Sequence, residues 1–133
     1  MTFRHHTPAG IRAPFARYSH GVEVPPGTRL LFCSGQVGVT PDDSIPDSVE
    51  AQTDLCFANI TAILGEAGMG PANVLRLNAY VTDRSNLAGY MAARDRFCAD
   101  IDPPPASTLM IVSGFARPEL KVEVEAVAAA PAR

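Results

Sequence analysis

Along the last quarter of the chain, Leu120, Val122, Val124 and Ala126 alternate with Lys121, Glu123 and Glu125. A period of two marks a strand with one face buried, and it sets Glu123 and Glu125 together on the other face. Residues 74–82 repeat the pattern, with Leu75, Leu77, Ala79 and Val81 on one side and Arg76, Asn78, Tyr80 and Thr82 on the other. Residues 109–112 give a further short strand. Near the start, residues 15–24 and 29–34 are two β-rich runs flanking Pro25-Pro26-Gly27-Thr28, which predicts a hairpin.

Elsewhere the period changes to that of a helix. Val49, Cys56, Ile60, Ile63 and Ala67 recur on one helical face. Asp47 and Glu50 have the spacing of a capping box, and Gly68, Gly70 and Pro71 end the run, so a helix is predicted over residues 48–67. A second helix follows Asp83 or Ser85 and carries Leu87, Tyr90, Met91, Arg94, Phe97 and Cys98 along one stripe before Pro103-Pro104-Pro105 stops it. The predicted order is β-β-α-β-α-β-β, an α+β fold with two helices on one face of a small mixed sheet. The opposite face then needs a cover, for which a closed homo-oligomer is the common solution.

Composition narrows the class. In 133 residues, 47% are apolar and 19% charged, which suits one packed domain spanning residues 1–133, and the 12 prolines and 10 glycines cluster between periodic segments as turn punctuation. A net charge of −3 offers no attraction to phosphate backbones or anionic membranes, so neither nucleic acid nor membrane is an expected partner. No apolar run has the length of a membrane span or of a secretion signal, which leads us to expect a cytoplasmic protein. Cys33, Cys56 and Cys98 lack metal-ligand spacing and read as buried thiols, and His5, His6 and His20 form no metal-binding pattern. No metal or other cofactor is expected.

Tyr18-Ser19-His20, Cys33-Ser34-Gly35-Gln36 and the closing Lys121-Val122-Glu123-Val124-Glu125-Ala126 resemble the Rid (YjgF/YER057c/UK114) family. Residues 52–59, the Ala79–Asp83 stretch and Pro105-Ala106 fall in the same order and spacing, so the similarity spans nearly the whole chain. It implies a chorismate-mutase-like sandwich assembled as a homotrimer, with a small-molecule cleft at each subunit boundary. It also implies hydrolysis of reactive enamines and imines, such as 2-aminoacrylate, to a keto acid and ammonia. Such chemistry needs a grip on the substrate's carboxylate, a positioned water and management of one or two protons.

Family deaminases hold that carboxylate with an arginine directly after a Pro-Ala pair. Here the position is Ser107, so the bidentate clamp is absent. With an insertion placed in the loop of residues 114–119, Glu123 takes the family position that orients water or carries its proton. Without the resemblance Glu123 is an ordinary exposed carboxylate. Tyr18 reads either as a pocket wall with a hydroxyl handle or as a packed core tyrosine. Ser107 and Thr108 read as a neutral hydrogen-bonding floor for a ligand or as hydroxyls bonded to local backbone. Ser34 has no partner pattern of a hydrolase nucleophile. Arg94, on the apolar stripe, is either an arginine packing its stem while its head reaches an acid at the edge, or the cation that position 107 has lost. The candidate site set is Glu123 as the catalytic group and Tyr18, Arg94, Ser107 and Thr108 as ligand contacts. The implied function is binding, with hydrolysis, of small imine, enamine or keto-type metabolites. A non-catalytic sensing trimer and a pathway-dedicated enzyme acting on a substrate without a carboxylate are the competing readings. The endoribonuclease role attached to the family by name sits poorly with the acidic balance.

Overall fold

The computed structural model describes residues 2–133. Its strands are β1 (Arg4–His6), β2 (Gly21–Glu23), β3 (Thr28–Val37), β4 (Val74–Val81), β5 (Ala106–Ile111) and β6 (Val122–Pro131), and its helices are α1 (Val49–Glu66) and α2 (Leu87–Phe97). β3, β6, β4 and β5 form one sheet in that order. β6 runs antiparallel to both β3 and β4, whereas β4 and β5 are parallel. A parallel pair needs a long crossover, and α2 supplies it. The result is the α+β arrangement expected, with both helices covering one face of a mixed sheet.

The core lies between that face and the helices. Cys56, Phe57, Ile60 and Leu64 of α1 and Tyr90 of α2 pack on Leu77, Ala79, Val81, Val122, Val124 and Ala126, all at most 4% exposed. The phase expected for β6, and for β4 from Leu77 onward, is therefore correct; at the start of β4 an irregularity buries Val74 in place of Leu75, and Glu123 and Glu125 share the uncovered face. No helix among the described residues is long and apolar enough to cross a membrane.

Several boundaries moved for identifiable reasons. The expected hairpin is replaced: β2 pairs with β1, while β3 joins the four-stranded sheet beside β6. Pro25 and Pro26 cannot donate to a ladder. Leu31 and Cys33 gain a core by pairing next to β6, whereas β2 has no buried side chain to offer β3. The cap of α1 is Ser48 rather than Asp47, its hydroxyl accepting from the Ala51 amide at 3.1 Å. Gly68, at φ +68°, ends the helix as predicted, with the Met69 amide donating to the Leu64 carbonyl. Asp83 caps a short 3₁₀ turn of residues 84–86 that leads into α2. β5 begins three residues before the predicted start. β6 runs on through Ala128, Ala129 and Ala130, whose small side chains are buried even though alanine is a weak strand former.

Candidate functional site

The segment before β2 is tied to the start of β5. The Ser19 amide donates to the Pro105 carbonyl at 3.0 Å, and Ser19 and Ala106 form a parallel bridge. Arg17 donates to the Cys98 carbonyl at 2.8 Å and to the Ile101 carbonyl at 2.5 Å, just past the last turn of α2. These ties set Tyr18 against the edge strand. A cavity of about 330 Å³ opens there, lined by Phe15, Ala16, Tyr18, Met91, Arg94, Ser107 and Leu109.

Three of the residues singled out in the sequence thus meet: Tyr18, Arg94 and Ser107. The Tyr18 hydroxyl accepts from the Phe15 amide at 3.2 Å, which leaves its own proton free to donate. Among the described residues the Ser107 hydroxyl has no side-chain or backbone partner. Arg94 pairs with an exposed acid, Asp95, as the packed-stem reading expected, but its own side chain is only 4% exposed, deeper than that reading implied. Its stem belongs to the apolar stripe of α2, and burial of that stripe carries the guanidinium inward. Nε and Nη2 both address Oδ1 of Asp95, at 3.4 and 3.1 Å, and Nη1 has no hydrogen-bond partner among the described residues. The guanidinium carbon lies 6.0 Å from the centre of the Tyr90 ring. The Tyr90 hydroxyl is itself buried without a hydrogen bond.

Ser107 and Thr108 do not form a joint floor. Strand alternation turns them to opposite faces, and Thr108 accepts from Arg76 Nη2 at 3.1 Å on the uncovered side. There Arg76 also donates to Asn78, Asn78 donates to Glu125 at 3.1 Å, and the Tyr80 hydroxyl donates to the same Glu125 oxygen at 2.9 Å. That bond to Glu125 raises the Tyr80 hydroxyl above its usual range. Glu123 lies on this same face, over Gly35, where a Cβ would stand only 2.0 Å from its Oε2. Within one chain Glu123 is therefore separated from the Arg94 cavity by the sheet.

A second cavity, of about 380 Å³, is lined by Asp43, Ile45, Pro46, Asp47, Arg117, Glu119 and Lys121. Its cations are already engaged: Arg117 pairs with Asp43 at 2.8 Å and Lys121 donates to the Asp47 carbonyl. It offers a ligand less than the Arg94 cavity does. Phe15, Met91 and Leu109, the apolar walls of that cavity, were not singled out in the sequence. Phe15 reads as the start of a β-rich run but lies in a loop, since that run forms a strand only over Gly21–Glu23, and the other two looked like ordinary core positions.

Comparison with known proteins accords with this architecture. The sequence model of the family described as Endoribonuclease L-PSP matches residues 10–130. The Rid-family protein YyfB of Yersinia pestis is 32% identical in sequence, with a TM-score of 0.84, the match covering 98% of this chain and all of that one. TdcF of Escherichia coli, whose structure holds bound serine, is 26% identical with a TM-score of 0.71 over 91% of each chain. In sequence, TdcF of strain K12 is named as a candidate reactive intermediate deaminase and is 28% identical over 88% of this chain and 91% of its own. A match over so much of the chain, in sequence and in fold together, makes this protein a member of the Rid (YjgF/YER057c/UK114) family.

Proposed function

We propose that this chain binds small reactive imine, enamine or keto-type metabolites in the cavity between α2, β5 and residues 15–18, and that it hydrolyses the imines and enamines among them. The observation that carries the reading is the convergence of Tyr18, Arg94 and Ser107, each with hydrogen-bonding capacity unused among the described residues, on a pocket otherwise walled by Phe15, Ala16, Met91 and Leu109. The serine bound to TdcF supports a small-molecule ligand for this fold. The net charge of −3 favours such a ligand over RNA.

In the reaction, an enamine first takes a proton at carbon and loses one from nitrogen to become the imine; water then adds to the carbon of the C=N bond and the nitrogen takes a proton. The resulting carbinolamine collapses to a C=O group as ammonia leaves. Glu123 is the group we assign to accept the water's proton and return it to the departing nitrogen. Because Glu123 lies across the sheet from the cavity of its own chain, the assignment requires a neighbouring copy to bring its Glu123 to the cleft in a homotrimer. Direct binding without catalysis is the second reading. It is favoured by the absence of any carboxylate or imidazole among the residues lining the cavity.

Keto-acid release from enzymatically generated 2-aminoacrylate separates the two. Wild-type protein should accelerate it, and Glu123→Ala should lose on the order of a hundredfold while keeping its assembly mass, the usual scale for removing a general acid or base. Equal rates in the two proteins would refute the role of Glu123, and no acceleration by wild type would leave the sensing reading.

A further inference from the structure

We infer that Arg94 is the anion-binding group of this cavity, and that the preferred ligand is a small monocarboxylate with an apolar substituent. The inference rests on the reading that the ligand site is the Arg94 cavity.

Four observations lead to it. First, a guanidinium with 4% of its side chain exposed has lost most of its hydration, and its one carboxylate partner, Asp95, is 54% exposed. An exposed partner screens a buried cation poorly, so a second anion on the buried side is strongly favoured. Second, Asp95 occupies the Nε and Nη2 edge and does not line the cavity, so Nη1 is the nitrogen left over for a ligand among the described residues. Third, the Tyr18 hydroxyl, already accepting from the Phe15 amide, and the Ser107 hydroxyl can each donate to the same anion. One charged and two neutral donors suit the oxygens of a carboxylate.

The fourth observation bounds the ligand's charge and shape. Arg94 is the sole cation among the cavity's lining residues, and one guanidinium balances one negative charge, so a dianion such as a phosphate monoester is poorly matched. The remaining walls are Phe15, Ala16, Met91 and Leu109. Phe15 is 79% exposed at the mouth; the Arg12 guanidinium lies 3.8 Å from its ring centre, and an apolar substituent in the cavity would bury more of the ring. The carboxylate therefore points inward to Arg94 and the substituent outward along Met91, Leu109 and Phe15.

Titration calorimetry with 4-methyl-2-oxopentanoate and with its methyl ester tests this directly. Wild-type protein should bind the acid at least tenfold more tightly than the ester. Arg94→Met, which keeps the apolar stem, should lose roughly ten- to hundredfold in acid affinity, the scale of a hydrogen bond to a charged group, and should bind acid and ester alike. Asp95→Asn, an exposed change that leaves the fold alone, removes the competing charge and should tighten acid binding severalfold. It serves even if Arg94→Met does not fold. Acid and ester bound equally by wild type, or an acid affinity unmoved by both substitutions, would overturn the inference while leaving the cavity as a binding site. Neither compound bound at millimolar concentration would overturn the inference and the cavity reading together.

Discussion

The three thiols lie in the core, and burial holds each of them in its neutral form. Cys98 is pushed up to about 11 and Cys56 to about 12, both chiefly by loss of hydration, with the charge of Glu123 adding a little at Cys56. In the unfolded chain a thiol titrates near its ordinary value of about 8.5. A group whose folded value is raised contributes stability that is complete below the unfolded value and is lost as pH rises toward the folded one. The unfolding midpoint in urea should thus be flat from pH 7 to about 8.5 and decline from there to pH 11–12. Cys98→Ala should decline less steeply, and a parallel decline would show that Cys98 does not contribute. Gly35 offers a second test at this scale. An added Cβ would meet the far end of the Glu123 side chain, at 2.0 Å from Oε2 and 2.7 Å from Cδ, so the carboxylate rather than the backbone must move. Gly35→Ala should hold stability within about 1 kcal/mol. It should also slow 2-aminoacrylate hydrolysis at least tenfold if Glu123 is the proton carrier; an unchanged rate would argue against that role. Single residues were unevenly legible beforehand. The alternation of β6 placed Glu123 correctly, and the stripe of α2 picked out Arg94. The depth of Arg94 was not legible, because the same spacing serves an arginine whose head reaches solvent.

Elements meet through backbone groups that no hydrophobic pattern reports. Gln52, fully buried on α1, donates through Nε2 to the Pro46 and Glu119 carbonyls at 2.8 and 3.0 Å, and its Oε1 accepts from the Lys121 amide at 2.8 Å. One side chain thus pins the loop before α1 and the loop before β6, the latter setting where β6 begins and hence the register of Glu123. Gln52→Leu would strand three polar backbone groups at once and should cost about 2–4 kcal/mol, read from a shifted urea midpoint at constant slope. A loss below 1 kcal/mol would mean that water or loop movement satisfies those groups. A glutamine on the buried face breaks the apolar rhythm of α1. The expected face of Val49, Cys56, Ile60, Ile63 and Ala67 therefore shares Cys56 and Ile60 with the buried one of Gln52, Thr53, Cys56, Phe57, Ile60 and Leu64, and its other three residues pack at the partly buried margin. The mispaired hairpin has a related origin: local turn chemistry proposed β2 as the partner of β3, whereas burial beside β6, about a hundred residues away in sequence, decided it. The cavity was legible only as separate residues, since its assembly depends on Ser19 docking at Ala106, a contact between distant loops without a local signal.

At the scale of the molecule, the uncovered sheet face decides how many copies are needed. Leu30, Phe32 and Met110 stand 51%, 71% and 53% exposed there, too much apolar surface on one face to be left in water without consequence. Most polar groups between them are already linked, from Thr108 through Arg76, Asn78 and Glu125 to Tyr80, so a second surface can cover them without stranding a donor or acceptor, provided it offers Glu123 a partner. A closed ring of identical chains satisfies both conditions, and light scattering should return three times the 14.1 kDa chain mass. Phe32→Glu places an unpaired charge in the proposed interface and should dissociate the ring, lowering the melting temperature and making it dependent on protein concentration. The dissociated variant then bears on the division of labour argued above. The Arg94 cavity is built within one chain, so the monomer should retain much of its preference for 4-methyl-2-oxopentanoate over the ester. Glu123 lies across the sheet from that cavity, so the same monomer should lose hydrolysis of 2-aminoacrylate. A monomer that still hydrolysed at the wild-type rate would place the whole reaction within one chain and remove Glu123 of a neighbouring copy from the mechanism.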